Sequence, residues 1–545
     1  MAINFAFPPL TIMRNLPLVL FFLLSVIAGL IGYYMQKPDD STELAQNEPS
    51  EKENAHTYPS LPENKSLSRT TNRDSAATAF VDQTPPFALK NERILRFKDE
   101  ASYQKFLASL AERGLRLLGG SDRLRATRVG FRSLADLENI DGAESGFNFQ
   151  VGFPTPAPGG VQEGAVGFGL DSLAWLGITE DNSAWGTGVT VAVIDSGINQ
   201  HPAFDGGVTA LELTTLEPGS NQSSHGTAVA SIISGDSNVA RGVAPSSEIL
   251  SIRVTDANGT ADAFTLAEGI IQAVEGGAQV INISLGTFGD SALVAEAVTF
   301  AQDSGSVIVA SSGNNGIDLI AFPAAYDGVI SVGAVEQGGQ QLDFSNSGNG
   351  LSITAPGLEV VSAWEETELT AFSGTSASAP FVSGAIAATM SENPNLTATQ
   401  AADLVLSLAN DAGLPGSDPD FGFGILDVGR VMDNGTSGIF DAAVTGQVLV
   451  PATNSSSLPQ VLVTVQNQGT ETLINSPVTI TSPSGTRDLN VSSLSPGETQ
   501  TFQVPIAIPT NGDSVEINTT IDTSSGDQDP SNNSQSTSFS QEQSP

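Results

Sequence analysis

From Gly188 the chain alternates between two kinds of segment, and this alternation restricts its fold more than any other feature. Val189 to Ile194 (VTVAVI), Ile249 to Val254 (ILSIRV), Val280 to Ser284 (VINIS) and Ser306 to Ala310 (SVIVA) read as strands. Helical stretches at Ala263 to Glu275 and Ala292 to Asp303 separate the later ones. Strands that are almost continuously apolar are buried on both faces, so the pattern predicts an α/β fold with a mostly parallel sheet covered by helices. Active sites in such folds sit at the carboxyl ends of the strands.

At roughly 150 residues per domain, a chain of 545 residues predicts three or four folded units. Residues 1–36 contain the uncharged run Leu16 to Met35 (LPLVLFFLLSVIAGLIGYYM), about 30 Å long as a helix, which reads as a signal peptide or a membrane anchor. Residues 37–88 are polar and proline-punctuated, as in a flexible linker. Order resumes over 89–152. There Arg93 to Lys98 alternates like a strand, and Ala101 to Arg113 carries Tyr103, Phe106, Leu107 and Leu110 at helical spacing. Further strands are expected at Leu115 to Leu118 and Thr127 to Phe131, and Ser133 is expected to cap a helix at Leu134 to Ile140. The α/β unit spans 164–437. Over 443–540 helical periodicity gives way to short Val/Thr/Ile alternations such as Val461 to Gln466, predicting a β-sandwich.

Charge is segregated along the chain. Seventeen of the 21 Lys and Arg residues precede residue 133, and the remainder has only Arg241, Arg253, Arg430 and Arg487 against 46 carboxylates. A surface so uniformly negative repels phosphate backbones, which excludes nucleic acid as a partner. The chain has no Cys, so disulfide scaffolds, thiolate metal sites and cysteine nucleophiles are excluded together.

Three short segments carry the chemistry. VAVIDSGI places Asp195 at a strand end, SSHGTAVASIISG places His225 before an apolar helix, and FSGTSASAPFVSGAIAA places Ser376 at the glycine-rich entrance to another helix. Singly, each reads as a turn, a structural histidine or a helix cap. Together they supply a hydroxyl nucleophile, an imidazole base and a carboxylate to fix the imidazole's tautomer, which is what acyl transfer requires.

DSGI, HGT and GTSASAP, separated by 30 and 151 residues, resemble the three signature blocks of the subtilisin-like serine proteases (subtilases, peptidase family S8). A fourth block, VIVASSGNNG, resembles the one that carries the oxyanion-hole asparagine, here Asn314. The resemblance covers about Gly164 to Met432 and implies a three-layer subtilisin-like fold and a serine-type endopeptidase with the triad Asp195, His225 and Ser376. It also implies that Ser284, Leu285 and Gly286, with Ser312 and Gly313, bind a peptide substrate laid on as an added strand. The uncharged segments around that cleft suggest an apolar or broad preference at the residue preceding the cut. The chemistry needs no cofactor. Structural Ca²⁺ is compatible with the family, although Ala203 stands where an aspartate ligand is common, and no ligand is nominated.

The resemblance extends to a role for residues 89–152, which occupy the position of an inhibitory prodomain acting on its own protease. With 11 basic and 5 acidic residues over 90–132, this unit is complementary in charge to the acidic half. Self-cleavage is expected between about Asp141 and Gly169. That cut would release the catalytic unit from the apolar N-terminal run, giving a zymogen that is exported and then secreted or tethered. The C-terminal unit resembles Ig-like and CARDB-like sandwiches, with Asp527 to Asn533 (DQDPSNN) as a recognisable ending. An alternative function remains at this level: a catalytically silent binding or adhesion protein that acts through the sandwich.

Overall fold

The computed structural model describes residues 84–540 apart from 155, 157–159, 163, 205–207, 218–219, 238–239, 451–457, 509–513 and 524–525. The apolar run Leu16 to Met35 and most of the polar linker therefore lie outside the described residues. Among those described, no helix is long and apolar enough to cross a membrane.

At the centre is a seven-stranded sheet whose strands run in the order Ile353–Pro356, Ile330–Val335, Val307–Ser311, Val280–Ile283, Thr190–Asp195, Glu248–Arg253 and Val208–Glu212. Every pairing is parallel. Side chains alternate across it and build two apolar layers. Val191, Val193 and Val309 face the helices His225–Ser234 and Thr375–Glu392, whereas Ala192, Ile194 and Ile308 face Ala263–Glu275 and Ala292–Asp303. This two-sided burial is why the strands read as continuous apolar runs. The helix Thr375–Glu392 is buried throughout from Thr375 to Thr389, which its small residues permit: a Cβ on Gly384 would lie 2.7 Å from Val243 Cβ. The subtilisin-like α/β architecture expected from the sequence is thus the architecture present.

The N-terminal unit is a four-stranded antiparallel sheet of Arg116–Ser121, Ala126–Gly130, Glu92–Phe97 and Ala143–Gly146. It packs on the helix Glu100–Arg113, which is capped by Asp99 and ended by Gly114 in the left-handed region at φ 72°. The helix expected at Leu134 to Ile140 is a single 3₁₀ turn, Leu134–Leu137. Ser133 and Asp136 form a capping box there, but no residue of the turn is buried, so packing does not extend it. The basic residues of this unit meet the central one. Arg128 bonds Asp262 at 2.7 Å and Glu92 at 2.8 Å, Arg96 reaches Glu296 at 3.0 Å, and Arg123 lies over the Phe300 ring at 4.5 Å.

The C-terminal unit has a three-stranded sheet (Ala442–Val450, Gln460–Asn467, Thr499–Pro505) and a four-stranded sheet (Gly485–Leu494, Leu473–Ser482, Val515–Ile521, Ser534–Phe539) around one apolar core. The DQDPSNN segment clasps the last strand to the first. Asp527 accepts from Ala442 N at 3.0 Å and from Asn533 Nδ2 at 3.2 Å, and Asn532 donates to Asp441 at 2.9 Å.

The sandwich is docked on the central unit through Arg430. Its Nη1 donates to Leu408 O and Ala409 O, both at 3.1 Å, and its Nη2 donates to Asn467 O at 3.4 Å. A cleft of about 1100 Å³ runs along the junction, lined by Asp411 and Asp441 among others. Burial pushes each of these carboxyls up to about 6, and Asp418 adds to the effect at Asp411. Both folded values lie above the unfolded one, so each carboxyl costs stability as the pH rises through about 6, and the cost disappears below about 4. Asp411→Asn is therefore expected to melt higher than wild type above about pH 6 and alongside it below about pH 4. Thermal unfolding across that range measures this.

Candidate active site

Asp195 ends the strand Thr190–Asp195 and is fully buried. One carboxylate oxygen accepts from Ser196 N at 2.7 Å, and the two oxygens stand 2.9 and 3.0 Å from His225 Nδ1. A carboxylate can only accept, so Nδ1 carries a proton, and in the neutral imidazole it is Nε2 that has the lone pair.

His225 opens the helix His225–Ser234, and Gly226 explains how that helix comes so close to the strand end. A Cβ on Gly226 would lie 2.5 Å from Gly197 O and 3.1 Å from the Asp195 carboxylate. Ser196 Oγ fastens the approach, accepting from Gly226 N at 3.0 Å and donating to Ser223 O at 2.9 Å. The imidazole lies between two aromatic rings, with Phe153 stacked on it at 3.9 Å and Phe372 edge-on at 5.1 Å.

Ser376 is the second residue of the helix Thr375–Glu392 and is buried. Its hydroxyl donates to Ser284 O at 3.3 Å, and Ser284 Oγ donates back to Ser376 O at 3.2 Å. The Asp195–His225 half of the expected triad is hydrogen-bonded, whereas the serine hydroxyl is turned towards the strand Val280–Ile283 and its continuation.

Asn314 is held by its oxygen. Oδ1 accepts from Thr375 N at 2.9 Å and from Thr375 Oγ1 at 2.8 Å, which directs Nδ2 into the cleft, where it donates to the Pro154 carbonyl. Gly374, at φ 127°, makes room: a Cβ there would lie 2.7 Å from Asn314 Nδ2.

Asn346, which the sequence reading did not single out, fixes the same loop. It is fully buried and accepts from Asn315 N at 2.8 Å; its Nδ2 donates to Ser312 O at 3.2 Å and Leu319 O at 3.0 Å, and its backbone N donates to Gly313 O at 2.9 Å. Within SNSGNG it looks like one more turn asparagine, and only the long-range fold brings it to the loop.

The five expected substrate-binding positions divide. Gly286 exchanges two backbone hydrogen bonds with Gly152, at 2.9 and 3.1 Å, an isolated antiparallel bridge to the end of the strand Gln150–Gly152. The far side of that strand, Gln150–Gly152, pairs with Thr260–Asp262. Gln150 to Gly152, the end of the N-terminal unit expected over 89–152, thus lies between Gly286 and Thr260–Asp262 of the central unit. Ser284 faces Ser376, Leu285 is buried in the apolar layer, and Ser312 and Gly313 brace the Asn314 loop, with Gly313 N donating to Thr375 Oγ1 at 3.3 Å.

Ala203, which stands where the resemblance leaves an aspartate ligand missing, lies beside a charged pair. The Ala203 carbonyl accepts from Asp236 N at 2.7 Å, and the Asp236 carboxylate already faces the Arg241 guanidinium at 3.6 Å. Among the described residues no group of three or more His, Asp or Glu side chains could hold a metal.

Residues 186–424 match the family model described as "Subtilase family". The chain is 32% identical over 326 residues to "Thermophilic serine proteinase" of Bacillus sp. (strain AK1), covering 56% of this chain and 79% of that one. It is 36% identical over 246 residues to "Subtilisin Savinase" of Lederbergia lenta, covering 44% and 89%. Among solved structures, fervidolysin from Fervidobacterium pennivorans, described as a keratinolytic enzyme related to subtilisin, matches with a TM-score of 0.54 at 18% identity, over 80% of this chain and 89% of that one. That likeness bears on the fold. With its parallel sheet, its Asp195–His225 pair and these relatives, the chain belongs to the subtilase family and is a subtilisin-like serine peptidase.

Proposed function

We propose that this protein is an endopeptidase made as a self-processed zymogen, in which Ser376 attacks the carbonyl, His225 takes and returns its proton, and Asp195 steadies the imidazolium. Asn314 Nδ2 donates to the oxygen that becomes negative in the tetrahedral intermediate, alongside the Ser376 backbone N–H at a helix N-terminus. Attack requires the Ser376 hydroxyl to turn from Ser284 towards His225 Nε2, a rotation of one side chain.

The observation that carries this reading is the hydrogen bond from Asn314 to the Pro154 carbonyl. It puts one of the chain's own peptide groups where a scissile carbonyl belongs, while the preceding residues lie on Gly286 as a strand. The cut then falls immediately after Pro154, inside the stretch expected from the sequence. Residues 89–152 act as the intramolecular inhibitor, and the apolar run Leu16 to Met35 serves export or tethering. Substrates are proteins or peptides.

The catalytically silent alternative draws support from the Ser376 hydroxyl being bonded to Ser284 instead of His225. Labelling with a fluorophosphonate separates the two readings. The wild-type chain is expected to be labelled, and Ser376→Ala and His225→Ala are not. An unlabelled wild-type chain would favour the silent protein.

A further inference from the structure

Residues Val151 to Pro154 enter the cleft as a peptide, and the surroundings of each side chain differ in how much they restrict it. We propose that the protease selects an aromatic residue immediately before the residue that contributes the scissile carbonyl, through a slot formed by His225 and Gly259. This rests on the serine-peptidase reading above.

Phe153 stands at that position. Its ring stacks on the imidazole of His225 with centroids 3.9 Å apart and planes inclined by 18°. Gly259 closes the slot: a Cβ there would fall 2.2 Å from Phe153 Cε2 and 2.4 Å from Cδ2, closer than any real contact. The absence of a side chain at 259 is what admits the ring. The slot is built on a braced turn. Asp256 Oδ1 accepts from Asn258 N at 2.9 Å and from Thr260 N at 3.0 Å, and Gly259 N donates to Asp256 O at 3.1 Å, with Gly259 in the left-handed region at φ 74°. Phe372, edge-on to the imidazole, fixes the surface on which the substrate ring lies.

The neighbouring position is permissive by the same measure. A Cβ on Gly152 would meet only Gly259 O, at 3.7 Å, an ordinary contact. One residue further back, Val151 is fully buried in the apolar layer that includes Ala261 and Leu285, so an apolar residue is favoured there. The preference along the peptide is therefore apolar, unrestricted, aromatic, and then the residue that is cut.

Stacking on this ring also bears on rate. The imidazole becomes an imidazolium when it takes the serine proton, and the face of an aromatic ring attracts a cation. An aromatic residue at this position should therefore bind more strongly in the transition state than in the ground state, which raises kcat as well as lowering KM.

The test uses the full-length protein after self-processing and internally quenched peptides that differ at one position, with products read by mass spectrometry. Replacing Phe by Ala in a Val-Gly-Phe-Pro peptide is expected to lower kcat/KM at the bond after Pro by roughly tenfold. Replacing the Gly by Ala should change it less than about twofold. Gly259→Ala is expected to remove most of the difference between the Phe and Ala peptides, and fluorophosphonate labelling of this variant reports whether its site is intact. Equal rates for the Phe and Ala peptides, no cleavage of either by a labelled enzyme, or an undiminished preference in a labelled Gly259→Ala would each overturn the inference. Failure of the wild-type chain to label would instead overturn the peptidase reading beneath it.

Discussion

The full-length chain carrying Ser376→Ala is expected to remain a single 56.2 kDa species under conditions in which the wild type divides in two. The argument is geometric. The strand Gln150–Gly152 that leads to Pro154 is already bonded on both sides, to Gly286 and to Thr260–Asp262, and the Pro154 carbonyl already meets Asn314. What remains is attack, which the proposed mechanism assigns to the Ser376 hydroxyl. Removing the nucleophile from a subtilisin lowers kcat about a million-fold, a magnitude known from that enzyme and not obtained from this chain. On that scale a cut that takes seconds becomes one that takes days or longer. N-terminal sequencing of the larger wild-type fragment is expected to begin at Thr155, at a rate independent of chain concentration because the substrate is tethered. If purified Ser376→Ala divides at the same bond, self-processing is wrong.

Asn314→Ala is expected to lower kcat by about 100 to 1000-fold while leaving KM within a few-fold. That range comes from the corresponding substitution in a subtilisin and is carried to this chain by resemblance. The structure supplies the local reason. Both Thr375 donors are spent on Asn314 Oδ1, so Nδ2 is oriented without help from substrate and costs nothing to reorganise when the oxyanion forms. Because the donor strengthens its bond as charge develops, the loss should fall on the chemical step. Steady-state kinetics on a quenched peptide distinguish this from a binding defect: a large rise in KM with kcat preserved would place Asn314 in ground-state recognition instead.

Much of this was legible in the sequence, and the exceptions have physical causes. Val280–Ile283 and Val307–Ser311 announced themselves because burial on both faces leaves unbroken apolar runs. Val208–Glu212 did not, since an edge strand exposed along much of its length keeps polar residues. Ile330–Val335 is interrupted by Gly333, and Ile353–Pro356 is only four residues long and ends in proline. The candidate residues Asp195, His225, Asn314 and Ser376 stood out in the sequence because their motifs carry glycines, and the structure gives two of these a reason: Gly226 packs on Asp195 and Gly374 on Asn314. Asn346, Gly259 and Phe153 were not. Each matters through a partner tens to hundreds of residues away, and nothing local distinguishes it from an ordinary turn or linker residue.

Arg430 shows what trimming the molecule would do. One guanidinium ties the end of the protease to the first sheet of the sandwich, beside carboxyls that dislike being shut away from water. A shortened form ending before Phe440 would lose the Asn467 anchor, and with it the enclosure that raises Asp411. Such a form would trade a clasp for relief from the cost that Asp411 carries above about pH 6. The C-terminal strands thus add to a dependence of melting behaviour on acidity that Asp420 and Asp427, raised by burial within the protease, also carry.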